Sequence, residues 1–547
     1  MTAERFPRRP EALVARYRAT GAWGDTTIGA QLSATASRFS DRVAVADAER
    51  RLTYAELDRW TTAIAHGLLD RGLCPGDAVI VQSGNVAETL AGFYGLLKAG
   101  LVPVCSLPQH GRHEVSDLIA LTGARAHLVQ ADWPRADLPG LAAELRETHP
   151  SMRLTITTKG EAPGCVALAE LTEPGPVPVL DAEDLAVLQL SGGTTGTPKL
   201  IPRSNCDYLC NARAWAERWG WDERNVAMHA LPVMHNAGIA LCVLPAVLTG
   251  ATVVLAPRGD AEAIAGLVER AHVTDMVANA TVAYRLLESP AARAADLSSL
   301  ARLTVGPQSP EYAARLESEL GIRALGVFGM GEGLIMTTPW DAPEEVRRTT
   351  VGRPIHPLDE VRILDENLAD VSTGEVGELA CRGPYTIPGY YAAAEHNAVA
   401  FTPDGFFRTG DLARAHDVGG ETCYSIEGRI KDNVNRGGEK IHADELERLL
   451  VTHPGVAEVA IVGMPDPELG ERVCAYVVPR AGAPVPTVGD LADFLLGKGV
   501  AKFKLPERVE VRAELPVTTI RKVAKKRLRE DIAAKLAEER RDRTASR

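Results

Sequence analysis

The chain is short of positive charge: 60 Lys and Arg stand against 72 Asp and Glu across 547 residues, a formal charge of -12. That balance weighs against nucleic-acid binding, which needs Lys and Arg clustered on a basic face to hold phosphates. The one basic run, Arg521 to Arg529, needs its own explanation. Cysteine is sparse, nine residues scattered singly, and the nearest pair, Cys206 and Cys210, reads as one face of a helix rather than half a metal site. An odd number with no pairing framework points to a reducing, cytoplasmic setting. The N-terminal MTAERFPRRPEALVARYRATG lacks a continuous apolar stretch, so it does not read as a secretory signal. One uncharged segment, Ala237 to Ala256, reaches membrane-spanning length, but Pro245 and Thr249-Gly250 divide it into a buried helix followed by strand Ala251 to Leu255. Neither a membrane protein nor a repeat array is expected.

What is present is ordinary globular composition, 45% hydrophobic and 24% charged, in a chain longer than one core usually supports. Thr53 and Glu56 have capping-box spacing before a helix that should run to about Leu69. Ala78 to Gln82 reads as a strand, Asn85 to Ala99 as a helix stopped by Gly100, and Leu101 to Cys105 as a second strand, together a βαβ unit. The alternation recurs around Asp184 to Leu190, Ala251 to Leu255 and Ala324 to Phe328, so the first four hundred residues read as α/β layers with parallel strands. Near residue 430 the texture changes, and helix Ala443 to Val451 with strands Val456 to Val462 and Arg472 to Val478 predicts a small α+β domain.

The sharpest local signal is Ser191-Gly192-Gly193-Thr194-Thr195-Gly196-Thr197-Pro198-Lys199, directly after an apolar strand. Glycines let backbone fold round an anion, and threonines with a lysine supply donors to phosphate oxygens. Proline before Lys199 and leucine after it exclude the common nucleoside-triphosphatase loop, G-x-x-x-x-G-K-[ST]. A functionless Ser/Thr/Gly-rich surface loop is the bland alternative.

This loop resembles that of the adenylate-forming superfamily, and further family signatures follow in order: Gly326-Val-Phe-Gly-Met-Gly-Glu332, Phe407-Arg-Thr-Gly-Asp411, Gly428-Arg429-Ile-Lys431-Asp432, Arg436-Gly-Gly-Glu-Lys440 and Leu515-Pro-Val-Thr-Thr-Ile-Arg-Lys522. The resemblance implies a large N-terminal α/β adenylation domain of layered sheets and helices, residues 1–430, and a small mobile α+β C-terminal domain, residues 431–547. It implies that ATP is held by Ser191, Gly192, Gly193, Thr194, Thr195, Gly196 and Lys199, that Val327, Phe328 and Gly329 line the adenine, and that Asp411 with Arg429 takes the ribose. Glu332 would hold Mg²⁺, Lys522 would be the catalytic lysine, and Lys431 the hinge. Arg521 stands where the family usually has glycine. Lys525 and Lys526 read as solvated.

Within the superfamily the chain is most similar to free-standing aryl acid-AMP ligases, carried by SLPQHGRHEVSDLI, LPVMHNAG and VFGMGEGL. His235 would pack along the aryl group and gate entry. Asn236 takes the place of the aspartate that amino-acid-selecting relatives present to an ammonium, and would hydrogen-bond an ortho hydroxyl or ring nitrogen. Ala237, Ala240 and Gly331 stand where salicylate and dihydroxybenzoate ligases tend to carry tyrosine, serine and alanine. With Gly306 beside them, that loss of volume favours a bicyclic acid such as quinoxaline-2-carboxylate or 3-hydroxyquinaldate over the monocyclic runner-up. The loop Val305-Gly306-Pro-Gln-Ser309 lacks the family's paired glycines. No Ser-containing pantetheine-attachment segment follows Lys522, so a separate carrier protein is the expected thiol partner. An aryl-CoA ligase is the close alternative, and a non-catalytic ligand-binding relative the distant one.

Overall fold

The structure is a computed structural model that describes residues 5–191, 199–257, 259–306, 310–436, 439–466, 469–498, 500, 502–518 and 522–545. Among these, four sheets organise the chain. A seven-stranded sheet runs Val166–Ala167, Leu154–Thr157, Ala126–Val129, Ala78–Gln82, Val102–Cys105, Leu185–Leu190, Leu200–Ser204, parallel except for the last strand. A nine-stranded sheet has a parallel centre, Arg323–Met330, Arg302–Val305, Asp275–Ala278, Val226–His229, Thr252–Leu255 and Val43–Ala46, with antiparallel strands at both edges. The helices between them bury Leu32, Tyr54, Ile64, Leu90, Phe93, Tyr208, Trp215 and Leu244 against strand residues of both sheets. Layering of this kind follows from parallel strands, whose crossovers place helices on both faces.

Local signals act where expected. Thr53 and Glu56 close a reciprocal capping box, with Thr53 N donating to Glu56 Oε2 at 2.8 Å, and the helix runs Tyr54–Asp70. Cys206 and Cys210 lie buried on helix Asn205–Trp219 as free thiols. The segment after His235 is a helix in three phases: Asn236–Gly238, a π-helical turn Ile239–Val243, and Leu244–Thr249, closed by Gly250 at φ 80°. Gly238 is required by close approach, since a Cβ there would stand 2.3 Å from the Val233 carbonyl oxygen. No helix among the described residues is long and apolar enough to cross a membrane.

Two expectations are corrected. The expectation of parallel strands through the first four hundred residues fails at its end, where Glu360–Leu364 and Val376–Arg382 join Phe407–Val418 and Glu421–Arg429 in a four-stranded antiparallel sheet. The last hairpin turns through Gly419 and Gly420, both at positive φ, and so short a connection admits only antiparallel pairing. The second correction concerns Lys525, whose side chain is only 12% exposed. Its ammonium lies 2.9 Å from both Asp444 Oδ1 and Glu447 Oε1, while Lys526 is exposed as expected. Arg529 likewise reaches Asp432 at 2.7 Å, so much of the basic run is internal pairing.

The remaining sheet combines Glu439–Ile441, Val434–Arg436, Gly470–Pro479 and Val456–Asp466, with Arg508–Val511 added in parallel to Gly470–Pro479. Helix Ala443–Leu450 packs on a core containing Val434, Leu446, Ile461 and Val473, and helix Lys525–Ala545 on a second one containing Ala460, Val462, Tyr476, Leu528 and Ile532. The chain enters this small domain through a 3₁₀ turn, Ile430–Asp432, directly after strand residue Arg429.

Candidate active site

Ser191 and Lys199 are the stem of the phosphate loop. Ser191 N donates to the Lys199 carbonyl at 2.9 Å and Lys199 N donates to Ser191 Oγ at 3.2 Å, extending the pairing of Leu185–Leu190 with Leu200–Ser204. Gly192, Gly193, Thr194, Thr195 and Gly196 lie outside the described residues. The Lys199 ammonium donates to His396 Nε2 at 2.8 Å and sits 5.2 Å from the Tyr390 ring centroid. Burial and the neighbouring Lys199 charge lower the His396 pKa, which keeps the imidazole a neutral acceptor. Tyr390 in turn donates to Glu332 Oε1 at 2.7 Å. Tyr390 and His396 were absent from the sequence reading, although both lie in the Gly389-Tyr-Tyr to Phe401 segment between two recognised motifs.

Asp411 and Arg429 face each other across an antiparallel pair, and Arg429 Nε donates to Asp411 Oδ1 at 2.8 Å. Asp411 is 4% exposed; burial raises its pKa, opposed by the charges of Arg429 and Lys522. Its Oδ2 has no donor among the described residues, the open acceptor a vicinal diol needs. Val327 and Phe328 are buried on Arg323–Met330, which continues through Gly329 to the turn bearing Glu332.

His235 caps the short helix beside it, its Nδ1 accepting from Ala237 N at 3.4 Å, which leaves the proton of the neutral ring on Nε2. Burial, aided by the Lys522 charge, brings its pKa down to about 4. Asn236 is buried and Ala240 fully so, while Ala237 is partly exposed. A Cβ on Gly331 would lie 3.8 Å from Asn236 Cβ and 2.6 Å from Ile201 Cδ1, so the glycine and the asparagine share a wall. A Cβ on Gly306 would meet nothing within 4 Å. The sequence reading missed three residues behind this wall: Gln189, Arg203 and Tyr208.

Lys522 is exposed on a small hairpin: Val517 bridges Val523, and Thr518 N donates to the Lys522 carbonyl at 2.7 Å. Its charge helps lower the His235 pKa and opposes the rise that burial causes at Asp411. Arg521 lies outside the described residues, as do 307–309; of Lys431 only the backbone turn is described.

The residues fit ATP and a hard cation. Glu332 Oε1 accepts a hydrogen bond from Tyr390, and Oε2 has no donor among the described residues. Among the described residues no group of three or more His, Cys, Asp or Glu could hold a metal. An ion at Glu332 would therefore complete its shell with phosphate oxygens and water, the usual habit of Mg²⁺. Tyr390→Phe should raise the KM for ATP·Mg by about tenfold with kcat changed less, because a hydrogen bond to a charged group contributes roughly 1.5–3 kcal/mol. Pyrophosphate exchange at varied ATP·Mg checks this.

The model of the AMP-binding enzyme family matches residues 32–391, and that of its C-terminal domain matches 445–522. The chain belongs to the AMP-binding enzymes. This AMP-binding enzyme is 42% identical over 537 residues to pyochelin synthase PchD of Pseudomonas aeruginosa, 97% of each chain. It is 39% identical over 535 residues to the 2,3-dihydroxybenzoate-AMP ligase of Bacillus subtilis, 97% of this chain and 98% of that one. The apo structure of Mycobacterium smegmatis MbtA superposes with a TM-score of 0.74 at 38% identity, covering 97% of this chain and all of that one. The AMP-binding enzyme is thus an adenylate-forming ligase among the aryl acid-AMP ligases, with a large N-terminal and a small C-terminal domain, and ATP is its nucleotide.

Proposed function

We propose that this enzyme joins an aromatic carboxylic acid to AMP and then passes the acyl group to the pantetheine thiol of a separate carrier protein. What carries the proposal is the match of the AMP-binding enzyme model over residues 32–391 and of its C-terminal domain model over 445–522, the latter ending on Lys522. In the first step a carboxylate oxygen attacks the α-phosphorus in line, the bond to the β-phosphate bridging oxygen breaks, and pyrophosphate leaves. Lys522 stabilises the charge accumulating on the non-bridging oxygens. Asp411 and Arg429 orient the ribose, Val327, Phe328 and Gly329 line the adenine, and Ser191 to Lys199 receive the phosphates. Glu332 would hold Mg²⁺, which would supply charge neutralisation on the phosphates. In the second step the thiolate attacks the acyl carbon and AMP departs, its phosphate taking the electron pair.

His235 lines the aryl group and Asn236 reads its ortho position. Lys522 is needed only in the first step, so the small domain, residues 431–547, moves about Lys431 to admit the thiol, while residues 1–430 hold the substrates. Nine free cysteines support a cytoplasmic location. The small residues Ala237, Ala240, Gly306 and Gly331 favour a bicyclic acid, with salicylate and 2,3-dihydroxybenzoate next.

Acid-dependent pyrophosphate exchange tests the reading across benzoate, salicylate, 2,3-dihydroxybenzoate, 3-hydroxypicolinate, quinoxaline-2-carboxylate and 3-hydroxyquinaldate, with amino and fatty acids as controls. Exchange with aryl acids alone is expected, strongest with a bicyclic one. Ala237→Tyr should shift preference toward monocyclic acids by about tenfold or more, as filled pocket volume excludes the second ring. An unchanged preference between the classes would sink the volume argument.

A further inference from the structure

Asn85 stands between the end of strand Ala78–Gln82 and the start of helix Ala87–Lys98, in the layer built on the seven-stranded sheet. Its side chain crosses to the nine-stranded sheet and makes three hydrogen bonds, all to backbone. Nδ2 donates to the Leu231 carbonyl at 3.0 Å and to the Ala256 carbonyl at 2.9 Å, and Oδ1 accepts from Val233 N at 2.8 Å. A peptide N–H can only donate and a carbonyl can only accept, so these partners fix which way the amide faces. Leu231 and Val233 follow strand Val226–His229, and Ala256 follows its parallel neighbour Thr252–Leu255. One side chain thus staples two loops at the carboxyl ends of the strands, where α/β sheets bind their ligands.

The staple is anchored at its own end: Gly84 N donates to Gln130 Oε1 at 2.9 Å, and Ala87 N to Asp47 Oδ2 at 2.7 Å. Val233 is fixed from both sides, its N–H by Asn85 and its carbonyl by the close approach of Gly238. Two residues on comes His235, whose N donates to the Pro232 carbonyl at 3.0 Å and whose ring accepts one long hydrogen bond, from Ala237 N at 3.4 Å. On its outer side the turn borders a cavity of about 700 Å³ lined by Asn85, Leu231, Pro232 and Ala256 among others. There the three hydrogen bonds, rather than packed side chains, hold the turn in place.

We propose that Asn85 is a positioning residue for the acid: it ties the turn Leu231 to His235 to the layer of the seven-stranded sheet and so sets where the His235 ring stands along the aryl group. It acts through His235 and not by contact with the acid. The inference rests on the proposed role of His235 in the acid site and extends that site to a residue in another layer of the fold. Without Asn85 one backbone donor and two acceptors lose their partners, and the turn moves to find others. A shift of about an ångström in a positioning group can cost about a hundredfold in rate.

A double-mutant cycle, read in acid-dependent pyrophosphate exchange, tests this. Asn85→Ala should raise the KM for the aryl acid about tenfold while the KM for ATP·Mg stays within about twofold, since Asp411 and Arg429 lie on the antiparallel sheet. In a His235→Ala background the same substitution should cost less than about threefold, because the group it positions is gone. Additive single effects would overturn the inference, as would a KM for ATP·Mg that rises as much as that for the acid, since either makes Asn85 a support of the fold at large. A parental acid KM in Asn85→Ala would overturn it as well. An unchanged acid KM in His235→Ala would remove His235 from the acid site and the inference with it, and silence of the parent with every aryl acid would overturn the aryl-acid reading itself. Should Asn85→Ala fail to fold, Asn85→Asp carries the same cycle, as it keeps the shape and the acceptor for Val233 N but offers no donor to the two carbonyls.

Discussion

Lys522→Ala should form aryl-AMP about a thousandfold more slowly than the parent, because removing one charge-stabilising donor from an acyl- or phosphoryl-transfer site costs on the order of 10²–10³ in rate, and this donor carries a full charge. The side chain is exposed and its hairpin is held by backbone bonds, so the variant should fold. Loss of kcat at nearly unchanged KM for acid and ATP would mark an interaction made chiefly in the transition state. Acyl transfer from supplied aryl-AMP to the thiol should change by no more than a few fold. The same variant has a second readout. Lys522 helps hold the His235 pKa down to about 4, so its removal should move that imidazole upward, visible by NMR titration. A Lys522→Ala protein that forms adenylate as fast as the parent would refute the assigned role.

Asp411→Asn should have the next largest effect, a fall in kcat/KM for ATP of roughly 30–150-fold, as a charge-assisted acceptor is lost at about 2–3 kcal/mol. The shape is preserved and the acid site is not touched, so the KM for the acid should hold. Arg429 loses its partner in the same stroke, but its side chain is 40% exposed and water can replace the carboxylate. Arg429→Gln should therefore cost less than Asp411→Asn. The parent should also discriminate against 2′-deoxy-ATP more strongly than the Asp411→Asn variant does. Equal nucleotide kinetics in parent and variant would remove Asp411 from the ribose.

What could be read from the sequence was local. The Thr53-Glu56 box, the strand-helix-strand run from Ala78 to Cys105 and the order of the family motifs each span a short stretch, and their physics needs no distant partner. What escaped was non-local. Lys525 sits in a basic run that looks solvated until Asp444 and Glu447, on a helix some eighty residues earlier, come to cover it. Glu360 to Arg429 has strands as apolar as those before it, and pattern alone does not say which way a neighbour runs. Gln189, Tyr208 and Asn236 fall on three separate elements, so the hydrogen bonds joining them exist only once the sheet and two helices are assembled. Tyr390 and His396 could have been suspected, as an aromatic and a titratable residue close together in a loop between two motifs.

The π-helical turn at Ile239–Val243 makes the acid pocket a question of phase as well as of side chains. An α-helix advances about 100° per residue, and a π turn is in effect one residue inserted into that progression. Deleting a single residue there would let Asn236 to Thr249 run as continuous α-helix, swinging Asn236 and Ala237 about 100° round the axis relative to Leu244 and the core behind it. The wall that meets the substrate could then be exchanged wholesale without altering one pocket residue. Length variation at this turn is therefore a route to new acid selectivity that comparison by substitution alone would overlook.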